Sequence, residues 1–445
     1  MTESSQITVP LGAYWMPYTA NRQFKRDPRI IVAAHDVWFK DDRGRQILDG
    51  HSGLWTTGLG HGRPEISRAV ASQIKKLDFC PPFQFGHPGA FQLADVVSKL
   101  MPGDLDHVFF TNSGSESADT SLKMARAYWR LKGQPAKTRF IGREKGYHGV
   151  NYGGTAVGGI DANRKPFGHS LEVDHLRHTL LPENIFSRGM PLKGAHLAEG
   201  LSDLIEVHDA STIAAIIVEP MAGSAGVIPP PVGYLKRLRE LCDENDILLI
   251  FDEVITGLGR CGANTGAEAF GVQPDILNLA KQITNGAIPM GAVVATHEIH
   301  NTFMENAGPD YLLEFAHGYT YSGHPVACAA ALAALEVLVR EDLPSRVAEE
   351  ATFFESLLHE SLASKPYVAD VRNFGFAGAL TLEAYSGEPL RRPFEVAMRM
   401  WEKGFLVRFG GDTIQLAPHF VMAREQMTSL IEALGDALDE LAEYQ

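Results

Sequence analysis

Ile247-Leu248-Leu249-Ile250-Phe251-Asp252-Glu253-Val254 is an apolar run that ends on an acid, and Ile276-Leu277-Asn278-Leu279-Ala280-Lys281 repeats the pattern with an amine at its end. Runs this short and this apolar predict strands buried on both faces, as in a parallel sheet. Asp252 and Lys281 lie 29 residues apart, enough for a helix-containing crossover between neighbouring parallel strands. Ligands of open α/β sheets bind beyond the carboxyl ends of the strands, so this acid and this amine face one crevice.

Outward from that pair, strands are expected over His107–Thr111, Thr138–Gly142, Ile213–Val218 and Ala292–Thr296, alternating with helical periodicity. The clearest helix is Ser115–Lys132, with Ala118, Leu122, Ala125 and Trp129 along one face. Between Gly153 and Gly200 the alternation breaks into a Gly- and His-rich stretch, read as a long surface excursion with one short helix. After Pro325 an Ala-rich helix, Val326–Arg340, opens a different mixture of helices and short strands. The expected architecture is α/β: a large domain over 66–324 with a mostly parallel central sheet, and a smaller α+β domain over 325–445 joined by an N-terminal segment, 1–65.

The 445 residues are 45% hydrophobic and 21% charged, the balance of a globular enzyme with an ample core. A formal charge of -14 without a long basic run argues against nucleic acid or an anionic membrane as partner. Met1 to Gln6 lack a basic start and an apolar core, so no signal peptide is expected, and only the first ten or so residues read as disordered. Cys80, Cys242, Cys261 and Cys328 are scattered and read as reduced cytosolic thiols, which places the chain in the cytoplasm. His175-Leu176-Arg177-His178 could set two imidazoles on one helical face, but its polar, turn-rich flanks give no expectation of a metal.

A carboxylate beside a pyridine nitrogen keeps it protonated, and an amine forms a Schiff base with an aldehyde; Asp252 and Lys281 together therefore point to pyridoxal phosphate. Thr111-Asn112-Ser113-Gly114-Ser115-Glu116 follows a strand and opens a helix, which makes Gly114 and Ser115 candidates for its phosphate, although the same pattern is also an ordinary N-cap. Tyr147, in Tyr147-His148-Gly149, offers a face to stack on the ring, and Val254 could cover the other. Glu219 ends another strand and would contact the ring or organise Asp252, unless it is merely solvated. A surface position is the ordinary reading for a lysine, but the apolar flanks of Lys281 predict burial and a lowered pKa.

Asp252-Glu253-Val254-Ile255-Thr256-Gly257-Leu258-Gly259-Arg260, followed by Lys281-Gln282-Ile283-Thr284-Asn285-Gly286-Ala287-Ile288-Pro289-Met290-Gly291-Ala292, resembles the signature of the class III, fold type I aminotransferases. The likeness runs on through Trp15-Met16-Pro17-Tyr18-Thr19, Ser52-Gly53-Leu54-Trp55, Phe83-Gln84-Phe85-Gly86-His87-Pro88, His317 to Pro325 and Val407 to Asp412, and it is similar to the omega-amino acid:pyruvate group. The resemblance implies a Schiff-base role for Lys281, Asp252 on the ring nitrogen, Gly114 and Ser115 on the phosphate, and Thr320 reaching that phosphate from the other subunit of a homodimer or larger homo-oligomer. It implies substrate contacts for Trp55, Arg408 and Gln415. Tyr18 and Phe83 would line the pocket, though aromatics are more often core. Leu258, Cys261 and Ser117-Ala118 depart from the broader family.

The chemistry implied is ping-pong transfer from an amine donor of the beta-alanine type to pyruvate, with Lys281 moving the proton. Another donor (taurine, a polyamine or an aryl amine), an aminomutase or decarboxylase on the same cofactor, and a non-catalytic metabolite-binding protein are the alternatives. The last sits poorly with a complete cofactor setting around Lys281.

Overall fold

The computed structural model describes residues 10–168, 170–306 and 308–443. The first residues, read above as disordered, lie outside the described range except for Pro10. Among the described residues no helix is long and apolar enough to cross a membrane.

Near the N-terminus, β1 (Ile31–His35), β2 (Trp38–Asp41) and β3 (Gln46–Asp49) form an antiparallel meander. The central sheet holds β4 (Leu105–Thr111), β5 (Arg139–Arg143), β6 (Val173–Leu176), β7 (Ile213–Val218), β8 (Leu248–Asp252), β9 (Ile276–Leu279) and β10 (Gly291–Thr296), in the order β4-β10-β9-β8-β7-β5-β6. Every residue of β7, β8, β9 and β10 is buried, which is why these strands read as continuous apolar runs. Neighbours from β9 to β6 are parallel, whereas β10 runs against both β9 and β4. The reversal brings the start of β10, Gly291, to the edge where Thr111 and Leu279 end, because Gly291 pairs with Thr111 and Ala292 with Leu279.

The register aligns Val218 with Phe251 and Asp252 with Asn278, so Glu219, Asp252 and Lys281 emerge side by side from β7, β8 and β9. Helix α1 (Gly114–Leu131) lies across the sheet through Ala118, Leu122, Ala125 and Trp129, all buried, and the Trp129 indole donates to the Ala214 carbonyl at 2.8 Å. Ser117, one of the departures from the family pattern, is buried with its hydroxyl 3.1 Å from the Leu279 carbonyl, a direct tie between α1 and the strand that delivers Lys281. Leu258 and Cys261 are buried as well.

Residues 153–200 are not the excursion with one helix that their composition implies. The stretch contains β6, parallel to β5 at the sheet edge, and several short helical turns. Four residues of intermediate apolarity on an edge strand give no periodicity to read. Within it, His175 lies on β6 rather than on a helix, with Nε2 3.0 Å from the Gly158 carbonyl, so no helical His pair exists.

A third sheet gathers β11 (Val368–Phe374) and β12 (Ala377–Leu382) with β14 (Arg408–Gly410) and β15 (Thr413–Leu416), while β13 (Phe405–Leu406) returns to pair in parallel with β3. Helix α2 (Pro325–Arg340) precedes this part, and α3 (Arg424–Glu443) closes the chain.

Leu249, fully buried in the middle of β8, tests the central core. Leu249→Ala should destabilise the protein by about 2–5 kcal/mol through lost burial and a residual cavity. A urea midpoint unchanged from wild type would show that β8 is not packed as described.

Candidate active site

Beyond the carboxyl ends of β7, β8 and β9 lies a cavity of about 360 Å³, and its wall includes Gly114, Ser115, Tyr147, Glu219, Asp252, Val254 and Lys281. These seven come from five segments that the sheet register brings to one edge.

Asp252 is buried, its Oδ2 2.8 Å from His148 Nδ1 and its Oδ1 accepting the Val254 N–H at 3.2 Å. Only the imidazole N–H can serve that contact when the carboxylate is ionised, so His148 orients Asp252. Glu219 does not contact Asp252. Its Oε1 accepts the Tyr147 N–H at 2.9 Å and its Oε2 the Gly223 N–H at 3.0 Å, which fixes the turn presenting Tyr147 and His148. Burial raises the Glu219 pKa, helped by the charge of Asp252 and opposed by His148 and Arg143.

Lys281 sits at φ 48°, a left-handed conformation that a lysine retains only where its surroundings over-determine it. Burial lowers its pKa to about 8, against the raising influence of Asp252 and Glu219 and with a further lowering from Arg408. Near neutral pH a usable fraction of this amine is therefore uncharged.

The first N–H groups of α1 have no intrahelical acceptors and sit at the positive end of the helix dipole. Ser113 caps the helix by accepting the Glu116 N–H at 3.2 Å, which leaves Gly114 and Ser115 on the cavity wall. A Cβ on Gly114 would meet Val254 at 2.9 Å, and one on Gly149, at φ +91°, would fall 2.6 Å from Ser115 Cα. These close approaches leave open a concave, N–H-lined cradle for a phosphate. With a carboxylate, an aromatic ring and a low-pKa amine on the same wall, the residues present fit pyridoxal phosphate.

The remaining anticipated residues are not on this wall. Trp55 is buried, 3% exposed, with its indole edge-on to His51 at 4.6 Å, and packs in a small core with Met221, Val227 and Ile255. Left-handed φ at Ser52, Gly53 and Trp55 turns the segment so that Leu54 and Thr56 line the cavity instead. Gln415 is fully buried on β15, paired in register with Arg408, and donates to the Ser224 carbonyl at 3.0 Å. Arg408 is half-buried, and Tyr18 and Tyr147 act on its charge. Tyr18 is 70% exposed and Phe83 56%, with the Phe83 ring against Gly318 and the exposed Thr320 two residues further on.

His148, Leu54 and Thr56 were missed. His148 carried a signal, a polar residue buried beside Tyr147 at the end of a strand; Leu54 and Thr56 carried none, because backbone φ decides which of three neighbours faces inward. Among the described residues two groups have spacing that could hold an ion, Asp49 with His61 and His419, and Asp106 with His107 and His297; neither lines the cavity.

The family described as aminotransferase class-III matches residues 19–438. The chain is 59% identical over 433 residues to the beta-alanine–pyruvate aminotransferase of Pseudomonas aeruginosa, covering 97% of this chain and 96% of the relative. It is 58% identical to the omega-amino acid–pyruvate aminotransferase of Pseudomonas putida, covering 97% of each. A solved amine transaminase from an uncultivated Pseudomonas species, in its PLP-bound form, superposes with a TM-score of 0.89 at 35% identity over 96% of this chain and 98% of that one.

The lowered pKa of Lys281 makes capture of cofactor pH-dependent, since only the uncharged amine attacks an aldehyde. With the apoprotein, the rate of covalent attachment of pyridoxal phosphate should rise with pH and level off above about 8. Borohydride trapping and peptide mapping should place the label on Lys281. An inflection above pH 10, or a label on another lysine, would contradict the assignment.

Proposed function

The chain belongs to the class-III aminotransferases, and from that premise we propose that it transfers the amino group of an omega-amino acid or primary amine of the beta-alanine type to pyruvate, releasing a semialdehyde or aldehyde and L-alanine. The observation that carries this reading is Arg408. No carboxylate lies within ion-pair distance of it among the described residues, although burial lowers its pKa and its field reaches Lys281. An unpaired guanidinium whose field reaches the reactive amine suits a substrate carboxylate, whether that of pyruvate, alanine or the far end of beta-alanine. A polyamine or aryl amine would leave it idle in the donor half.

When bound, pyridoxal phosphate supplies an aldehyde that takes the amino group and a protonated ring that accepts the electron pair released at the substrate carbon. Asp252, oriented by His148, would hold the ring-nitrogen proton, Tyr147 and Val254 would pack against the ring, and Gly114 and Ser115 would hold the phosphate. Glu219 fixes the turn that carries Tyr147. Lys281 Nζ would hold the cofactor's aldehyde and would serve as the base that moves the proton at the substrate carbon. Tyr18 and Phe83 border the donor channel.

The reading includes a homodimer or larger homo-oligomer with shared sites. Exposed aromatics support it: Trp15 at 89%, Tyr18 at 70% and Phe85 at 70%, while Phe79 stands edge-on to Tyr321 at 6.1 Å beside Thr320. So much apolar surface calls for a partner. Three of the four free cysteines are buried, in keeping with a cytoplasmic protein. Pairing of β13 with β3 supports a small domain built from residues 1–65 and 325–445 around a large domain over 66–324.

Arg408→Ala should separate the half-reactions. Losing hydrogen bonds worth roughly 1.5–3 kcal/mol each to a charged group should weaken beta-alanine, alanine and pyruvate, yet leave a carboxylate-free amine nearly unaffected in single-turnover spectra. Equal losses for both donor types would refute the role.

Mixing inactive Lys281→Ala and Thr320→Arg chains should restore activity, because one site of the hybrid draws both wild-type residues. A verified heterodimer without activity would exclude the shared site.

A further inference from the structure

The loop that walls the cavity is held from behind by a buried ionic cluster. Asp49 ends β3 fully buried; its Oδ1 accepts the His51 N–H at 3.0 Å, and its Oδ2 accepts the Gly53 N–H at 2.5 Å. The same Oδ2 lies 3.0 Å from His61 Nε2 and 3.0 Å from His419 Nε2. His419, also fully buried, has its other nitrogen, Nδ1, 2.5 Å from the Thr57 carbonyl. Both nitrogens of His419 are thus engaged, one by the Asp49 carboxylate and the other by the Thr57 carbonyl, so the ring bridges the end of β3 and the turn.

Three of these contacts are to backbone of one segment: His51 N, Gly53 N and Thr57 O. Ser52 and Trp55, with φ of 45° and 63°, are in left-handed conformations that persist only where contacts impose them. Ser52 adds two more ties, its Oγ donating to the Ala417 carbonyl at 2.7 Å and accepting from Arg260 at 3.2 Å. Leu54 and Thr56, between the clamped groups, line the cavity. A cation at the cluster is disfavoured, because Asp49 Oδ2 is already saturated by donors and the buried Arg260 guanidinium lies within its field.

We propose that Asp49, His61 and His419 are positioning residues for the donor side of the site, a buried carboxylate and two imidazoles that fix the 51–57 turn and thereby the Leu54–Thr56 wall against which the amine donor binds. The inference rests on the reading of this cavity as the amine-donor site. It predicts that loosening the cluster weakens donor binding without disturbing the cradle formed by Gly114, Ser115 and Lys281, which stands on other elements.

The test is a double-mutant cycle between cluster and wall, using Asp49→Asn, Leu54→Ala and the pair, with beta-alanine as donor and the holoenzyme throughout. In single-turnover donor half-reactions each single change should raise the apparent donor Kd by about tenfold, the size of one charge-assisted hydrogen bond, with the limiting rate nearly unchanged. The pair should be little worse than either single change, because both act through one wall. Cofactor affinity by fluorescence quenching should stay at the wild-type value. His419→Gln, which keeps one donor, should recover part of the loss seen in His419→Ala. Fully additive losses, or lost cofactor affinity with donor Kd unchanged, would overturn the proposal. If Asp49→Asn fails to fold, His61→Asn, at the partly exposed edge of the cluster, carries the same cycle. Wild type unable to form alanine from pyruvate with beta-alanine would instead refute the donor-site reading itself.

Discussion

Withdrawing the Lys281 ammonium from water beyond the ends of β8 and β9 is unfavourable, and that desolvation is what lowers its pKa to about 8. The amine becomes a nucleophile near neutral pH for the same reason that it is strained and buried. The surrounding structure bears the cost. Asp252 and Glu219 supply opposite charge, the fully buried strands β7, β8 and β9 fix their spacing, and Ser117 pins Leu279 from the helix side. Each carboxylate is itself satisfied: Asp252 by His148 and Val254, Glu219 by Tyr147 and Gly223. Removing one partner would leave a buried charge without compensation, which costs far more than the net value of the contact.

The wall facing this amine is assembled differently. The 51–57 turn draws its hydrogen bonds from β3, from His419 near the C-terminal end of the chain, and from Arg260 after β8. The Lys281 turn reaches the same region through Gln282 and Asn285, which bond Gly58 N and Leu59 N at 2.8 and 3.0 Å. The wall carrying Gly114 and Ser115 and the wall carrying Leu54 and Thr56 thus rest on separate supports that meet at Lys281.

Much of this was legible from local patterns. The central strands are buried on both faces, so their apolar runs mark them: the expected boundaries coincide with the observed ones at Ile213–Val218 and Ile276–Leu279 and fall within two residues at the other central strands. Edge strand β6 was not legible, since half-buried residues on a sheet margin have no enforced period. The reversal of β10 was equally hidden: a strand covered on both faces looks the same whichever way it runs. Tyr147 and Glu219 were legible as strand-end residues. Their actual linkage, with Glu219 holding the Tyr147 backbone and His148 holding Asp252, was not.

The sequence by itself determined that an acid and an amine would stand at adjacent strand ends above a mostly parallel sheet, because burial on two faces and the crossover length leave few other arrangements. Which side chains of a turn face the cavity was decided only by the tertiary structure. Leu54 and Thr56 line the cavity because Asp49 close by, and His419 and Arg260 distant in the chain, tie down a turn that is left-handed at Ser52, Gly53 and Trp55. The physical reason is that a turn's backbone conformation is set by hydrogen bonds to partners hundreds of residues away, and no local propensity records them.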